Sequence, residues 1–160
     1  MSAAAETFDS HAVAAIGIEI RAARAAGVTT VAVAHELTRL DSPDPRVVAD
    51  ALCHRTGFRG LATGWRVLPR VEAELLVGHV LAKDLAYNHA CMETPCAYDL
   101  AHRFVATFPA GATFVTNVSA GKTTSESLNS WDPVSESTFD VVVVVVCGDS
   151  GALLCVQDED

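Results

Sequence analysis

Residues 141–146 are six consecutive valines, set in the segment TFDVVVVVVC (138–147). β-Branched side chains are stiff at χ1 and suit an extended chain better than a helix. In a strand, successive side chains point to opposite faces. A run of six therefore makes both faces apolar, unlike the alternating strand that keeps one face wet. Such a strand must be covered on both sides, by helices or by a second subunit. Left bare, it is an aggregation hazard. The string GDSG (148–151) follows, and ALLCVQ (152–157) is a second apolar run. Two extended runs about a short Gly-containing turn predict a β-hairpin.

The remainder of the chain supplies the cover. Asp9 or Ser10 can cap a helix starting near His11, with Val13, Ile16, Ile20 and Ala23 as one stripe and Gly27 as its stop. Residues 28–40, VTTVAVAHELTRL, carry both periods, and the Leu37/Leu40 spacing tips the reading to helix. DSPDP (41–45) is a turn, because each proline restricts the residue before it. Helices are expected from about Asp44 to Gly57, over 69–87, and from Thr94–Pro95 to about 108. ATFVTNV (112–118) alternates as a strand, and 119–137 reads as a long polar loop. Helices first and strands last predict an α+β fold, with N-terminal helices packed on a small, mainly antiparallel C-terminal sheet. The expected organisation is a flexible leader over 1–8, a single domain over 9–157 and an acidic tail over 158–160.

A chain of 160 residues corresponds to about one domain. Half of its residues are hydrophobic and the mean hydropathy is +0.28. That excludes intrinsic disorder and leaves a homodimer open. The net charge is −9, and it is unevenly placed. Residues 1–80 hold eight arginines against nine acids, while 81–160 hold three basic residues against eleven acids. Phosphate-tracking surfaces need clustered Lys and Arg. None is present, so neither a nucleic acid nor an anionic membrane surface is an expected partner. No secretory signal and no run of ~18 apolar residues is visible, which points to the cytoplasm. Five cysteines at irregular spacing argue for reduced thiols over a disulfide framework.

CGDSGALL resembles the nucleophile segment of chymotrypsin-like serine proteases, which would make Ser150 the nucleophile and His35 the base. Ala152 stands where that pattern has its second glycine, only ten residues follow Ser150, and a hairpin turn explains the same string. SAGKTT (119–124) has Thr116 where a phosphate-binding loop needs its first glycine. His89, Cys91, Cys96 and His102, with His79, are zinc-type residues. Cys96 and His102 lie about 240° apart around one helix, which opposes a shared ion. No metal or cofactor is therefore assigned. Asp99 and His102, at i and i+3, are a possible acid–base pair, with Tyr87 and His89 nearby in sequence.

The most distinctive string is SWDPVSESTFD (130–140), an aromatic residue in an acid-rich loop. Trp is enriched at interface hot spots. Trp131, Asp132, Glu136, Asp140, Asp158, Glu159 and Asp160 are accordingly the candidate partner-binding residues. In size, acidity and α+β pattern, the chain resembles small bacterial immunity and inhibitor proteins. That resemblance implies a cytoplasmic module that neutralises a partner protein, such as a basic toxin or enzyme, through an acidic C-terminal face. The alternative is a small ligand-binding or metal-dependent enzyme domain, with a pocket between helices and sheet lined by Tyr87, His89, Asp99 and His102.

Overall fold

The computed structural model describes residues 7–41, 43–119 and 130–159. Its elements run α1 (Ser10–Ala23), β1 (Val28–Ala34), α2 (Pro45–Arg55), a 3-10 turn (Ala62–Gly64), β2 (Arg66–Leu68), α3 (Arg70–Ala82), α4 (Thr94–Ala106), β3 (Thr113–Thr116), β4 (Phe139–Cys147) and β5 (Ser150–Asp158). The five strands form one sheet in the order β1-β5-β4-β3-β2, and every neighbouring pair is antiparallel. The fold is α+β, with helices mostly N-terminal and most of the sheet C-terminal.

The valine strand β4 lies at the centre. Val141, Val143 and Val145 enter the larger core with Leu76, Leu81, Phe104, Phe114 and Leu154. Val142, Val144 and Val146 enter the smaller core with Val48, Leu52, Trp65 and Leu153. Helices α1, α3 and α4 thus cover one face, and α2 with the 3-10 turn covers the other. Each fully buried valine contributes about 1.5–3 kcal/mol relative to exposure. β4 is flanked by β3 and β5, so its backbone edges are used within the chain. A sheet continued through this strand into a second subunit is therefore ruled out.

Residues 28–34 are a strand, not the start of a helix. All seven pair with β5, from Val28↔Gln157 to Ala34↔Gly151. The long-range ladder outweighs the helical Leu37/Leu40 spacing, and Leu40 is left exposed. The expected helix over 69–87 stops at Ala82, because Lys83 pairs with Ala90 and Asp84 anchors a tight turn. Its packed face is Ala73, Leu76, Val77, Val80 and Leu81, which leaves Val71 and Leu75 outside. The hairpin turn is two residues, since Cys147 pairs with Ser150, and Gly148 has φ 61°.

Both proposed boundaries need correction. Phe8 is buried against Phe108 and lies over the His35 ring, so the domain begins before residue 9. Asp158 is the last residue of β5 and is buried, so it belongs to the sheet and not to a tail. Its partner is Arg24 at the end of α1, at 2.8 and 2.7 Å through two nitrogens. Arg24 also donates to the carbonyls of Val80 and Lys83, and Leu85 N–H donates to Asp158 at 2.7 Å. Gly27, at φ 63°, passes so close to Asp158 and the Gln157 carbonyl that a Cβ there would collide with both. One network therefore ties the end of α1, the end of β5 and the turn after α3.

Removing one partner of a buried ion pair leaves a desolvated charge and costs about 3–5 kcal/mol. Urea unfolding of Asp158→Asn should show a loss of that size. The paired change Arg24→Met with Asp158→Leu should recover much of it. A single variant within ~1 kcal/mol of the parent would contradict this assignment.

His79 on α3 supplies a pH-dependent term. Burial, and secondly the nearby Lys83 charge, hold its pKa below the ordinary value. Protonation then favours the unfolded chain, so this contribution is complete above about pH 6.5 and declines as pH falls. His79→Gln should flatten the stability profile below about pH 6.5, and an unchanged slope would remove His79 as its source.

Candidate functional site

The segment 130–140 is held by backbone and carboxylate contacts. Val118 and Trp131 form an antiparallel bridge, and Ser119 N–H donates to the Ser130 carbonyl at 2.9 Å. Asp132 N–H donates to the Asn117 carbonyl, and the Asn117 amide donates to the Asp132 carbonyl, both at 2.9 Å. Asp140 then gathers the loop. Its carboxylate accepts from Asn117 Nδ2 at 2.9 Å, Ser135 Oγ at 2.7 Å, Ser135 N at 3.0 Å and Val134 N at 3.2 Å. Val134 plugs the smaller core.

This arrangement divides the candidate residues. Asp140 and Asp158 are 1 % and 3 % exposed and fully engaged, so both are corrected from partner-facing acids to internal clamps. The physical reason is that the folded chain surrounds each carboxylate with donors, the loop N–H and hydroxyl groups at Asp140 and the Arg24 guanidinium at Asp158, which compensate its burial. Asp160 lies outside the described residues. Asp132, Glu136 and Glu159 are exposed. Glu136 pairs with Arg59 at 2.6 Å, with both side chains largely in solvent. Glu159 accepts from the Thr138 hydroxyl at 2.9 Å. The Thr138 hydroxyl, then the Ser137 hydroxyl and the Thr138 N–H, hold its pKa below the usual range, so it stays charged.

Trp131 is partly exposed and packs on Phe139, with ring centroids 5.5 Å apart. With Leu85, Asp140 and Val141, the two rings line a cleft of about 10 Å³. That is room for roughly one water, far below the ~300–1,000 Å³ of a small-molecule pocket. The surface here is an aromatic pair with a shallow dent; the Asp132 carboxylate lies toward Gly64 and that of Glu159 on Thr138.

The alternative pocket residues do not converge. Tyr87 stacks on His89 at 5.8 Å in the exposed turn after α3. His102 pairs with Glu74 at 2.6 Å, and Asp99 lies 3.6 Å from Arg103, so the expected Asp99–His102 pair is absent. Among the described residues, no group of three His, Cys, Asp or Glu is placed to hold a metal ion. Burial, and secondly the Asp50 charge, push the Cys53 thiol up to about 12. Burial also raises Cys91 and Cys155. These thiols are poor nucleophiles and metal ligands near neutrality. Among the described residues, no helix is long and apolar enough to cross a membrane.

No protein-family model, curated protein or solved structure matches the chain. The functional reading therefore rests on this geometry alone.

Cys96 is exposed, while Cys53, Cys91, Cys147 and Cys155 are buried. A thiol-reactive chromophore should titrate one cysteine rapidly in the native protein and the other four only after unfolding. Rapid reaction at more than one site would contradict the packing described.

Proposed function

We propose that the chain is a protein-binding module of the immunity or inhibitor type, and that it engages a basic partner protein through the Trp131 end of the sheet. The observation that carries this reading is the partly exposed Trp131–Phe139 pair, with exposed acids at Asp132 and Glu159 in the flanking segments of the same sheet end. An aromatic anchor rimmed by charge is the usual anatomy of an interface hot spot. The rim carboxylates accelerate encounter with a Lys/Arg-rich surface and set its salt dependence. A cleft too small to enclose a metabolite favours a macromolecular partner.

Three features make the surface suitable for docking with little rearrangement. Asp140 fixes the loop from below through four donors. The Thr138 hydroxyl orients Glu159. Arg59 holds Glu136, so that acid presents a neutralised pair, and the unpaired rim charge falls to Asp132 and Glu159. Binding then immobilises few side chains, which limits its entropic cost.

The test is co-purification of tagged protein with partners from its native lysate at low and high salt. Trp131→Ala and the pair Asp132→Lys with Glu159→Lys are run in parallel. The expected outcome is one near-stoichiometric basic partner, weakened by salt, and lost from the variants by ~100-fold in affinity, as for a hot-spot Trp of about 2–3 kcal/mol. Equal capture by parent and variants would refute the surface assigned here.

A further inference from the structure

The opposite end of the sheet carries an arrangement that the docking surface does not use. β4 rises about 3.3 Å per residue, which sets its hairpin turn roughly 26 Å from Phe139. There the structure brings together residues 10, 35, 149 and 150. Ser10 Oγ lies 2.7 Å from His35 Nε2. His35 Nδ1 lies 3.0 Å from Ser150 Oγ. Ser150 Oγ lies 3.1 Å from Asp149 Oδ1.

The terminal carboxylate gives this chain of four groups a direction. A carboxylate only accepts, so the Ser150 hydroxyl donates its one proton to Asp149. The Ser150 oxygen then offers a lone pair to Nδ1, which must carry the ring proton. Nε2 is left bare, and the Ser10 hydroxyl donates to it. Ser10 is therefore the hydroxyl whose proton the imidazole is placed to take. The nucleophile–base–orienter logic of a hydrolytic triad is met, with a serine between the imidazole and the carboxylate.

Two local features free Ser10 for this role. Asp9, not Ser10, caps α1, accepting from His11 N at 2.9 Å and Ala12 N at 3.2 Å. The Ser10 hydroxyl is thus not consumed by the helix start. Phe8 stacks on the His35 ring at 5.4 Å and 19°, holding the imidazole plane. His35 is exposed and Ser10 partly so, which leaves the pair open to a substrate from solvent.

We propose that Ser10 and His35 form a nucleophile–base pair for uncharged carboxylic esters, with Ser150 and Asp149 as positioning residues. Ser10 Oγ bonds to the ester carbonyl carbon while His35 Nε2 takes its proton. The bond from that carbon to the alkoxy oxygen breaks, and the leaving alcohol carries the proton away. Water, deprotonated by the same imidazole, then cleaves the acyl–Ser10 ester, releasing the carboxylic acid and restoring the hydroxyl. The exposed carboxylate of Asp149, linked to the pair through Ser150, disfavours an anionic acyl group.

The experiment treats the full native chain with a fluorophosphonate, which forms a phosphorus–oxygen bond to an activated serine and expels fluoride. Intact mass and peptide mapping should show a single adduct on Ser10. His35→Gln should slow labelling by at least ~100-fold, the usual contribution of a general base. Ser10→Ala should abolish it, and the parent should hydrolyse 4-nitrophenyl acetate with the same dependence on Ser10. If the four groups merely tie α1 to β1 and β5, the parent shows no adduct, and the proposal fails. An adduct on Ser150 would overturn the proton direction argued here, and labelling of His35→Gln at the parent rate would remove His35 as the base.

Discussion

The fold is governed by one strand that cannot tolerate water on either face. β4 buries valines alternately into two cores, so the sheet must sit between layers. That requirement explains why α2 crosses to the opposite face from α1, α3 and α4. It also explains the neighbours of β4. β5 matches it with Leu153 and Cys155 on one side and Ala152, Leu154 and Val156 on the other. β3 and β5 consume its backbone edges, and the shorter β2 and the paired β1 become the sheet margins. The hazard of an apolar run is thereby contained within one chain.

A sheet buried on both faces has a polar problem at its ends, where the ladder stops and loop donors turn inward. Two carboxylates solve it. Asp140, at the start of β4, collects donors from the loop above it, and Asp158, at the end of β5, collects Arg24 and the Leu85 N–H. Asp50 does similar work on the smaller layer, accepting from Trp65 Nε1 at 2.7 Å and Leu61 N at 2.8 Å. Part of the chain's acidity is therefore architectural. The remainder, such as Asp132, Glu136 and Glu159, is exposed.

The hairpin β4–β5 separates two chemically different ends. At one, two aromatic rings close a shallow cleft. At the other, hydroxyls and an imidazole are drawn into one directed hydrogen-bond chain. The two lie at opposite ends of the hairpin, which is paired from Phe139↔Asp158 to Cys147↔Ser150.

The valine run by itself determined a central strand buried on both faces, and with the turn that follows it a hairpin, since each follows from local period and turn chemistry; whether helices or a second subunit covered it stayed open. The string SWDPVSESTFD singled out Trp131 and its acidic neighbours. The local pattern did not separate Asp140 and Asp158 from the outward acids, because both phases of each strand are apolar and only the donors gathered by folding decide which acid is buried. Only the tertiary structure decided that residues 28–34 would be a strand, because seven ladder pairs to a segment over 100 residues away outweigh a local helical period. Only it could join Ser10 to His35 and Ser150, which are separated by 25 and 115 residues along the chain. Local propensity acts over a turn or two of chain, whereas pairing and burial act between surfaces that meet once the chain has folded.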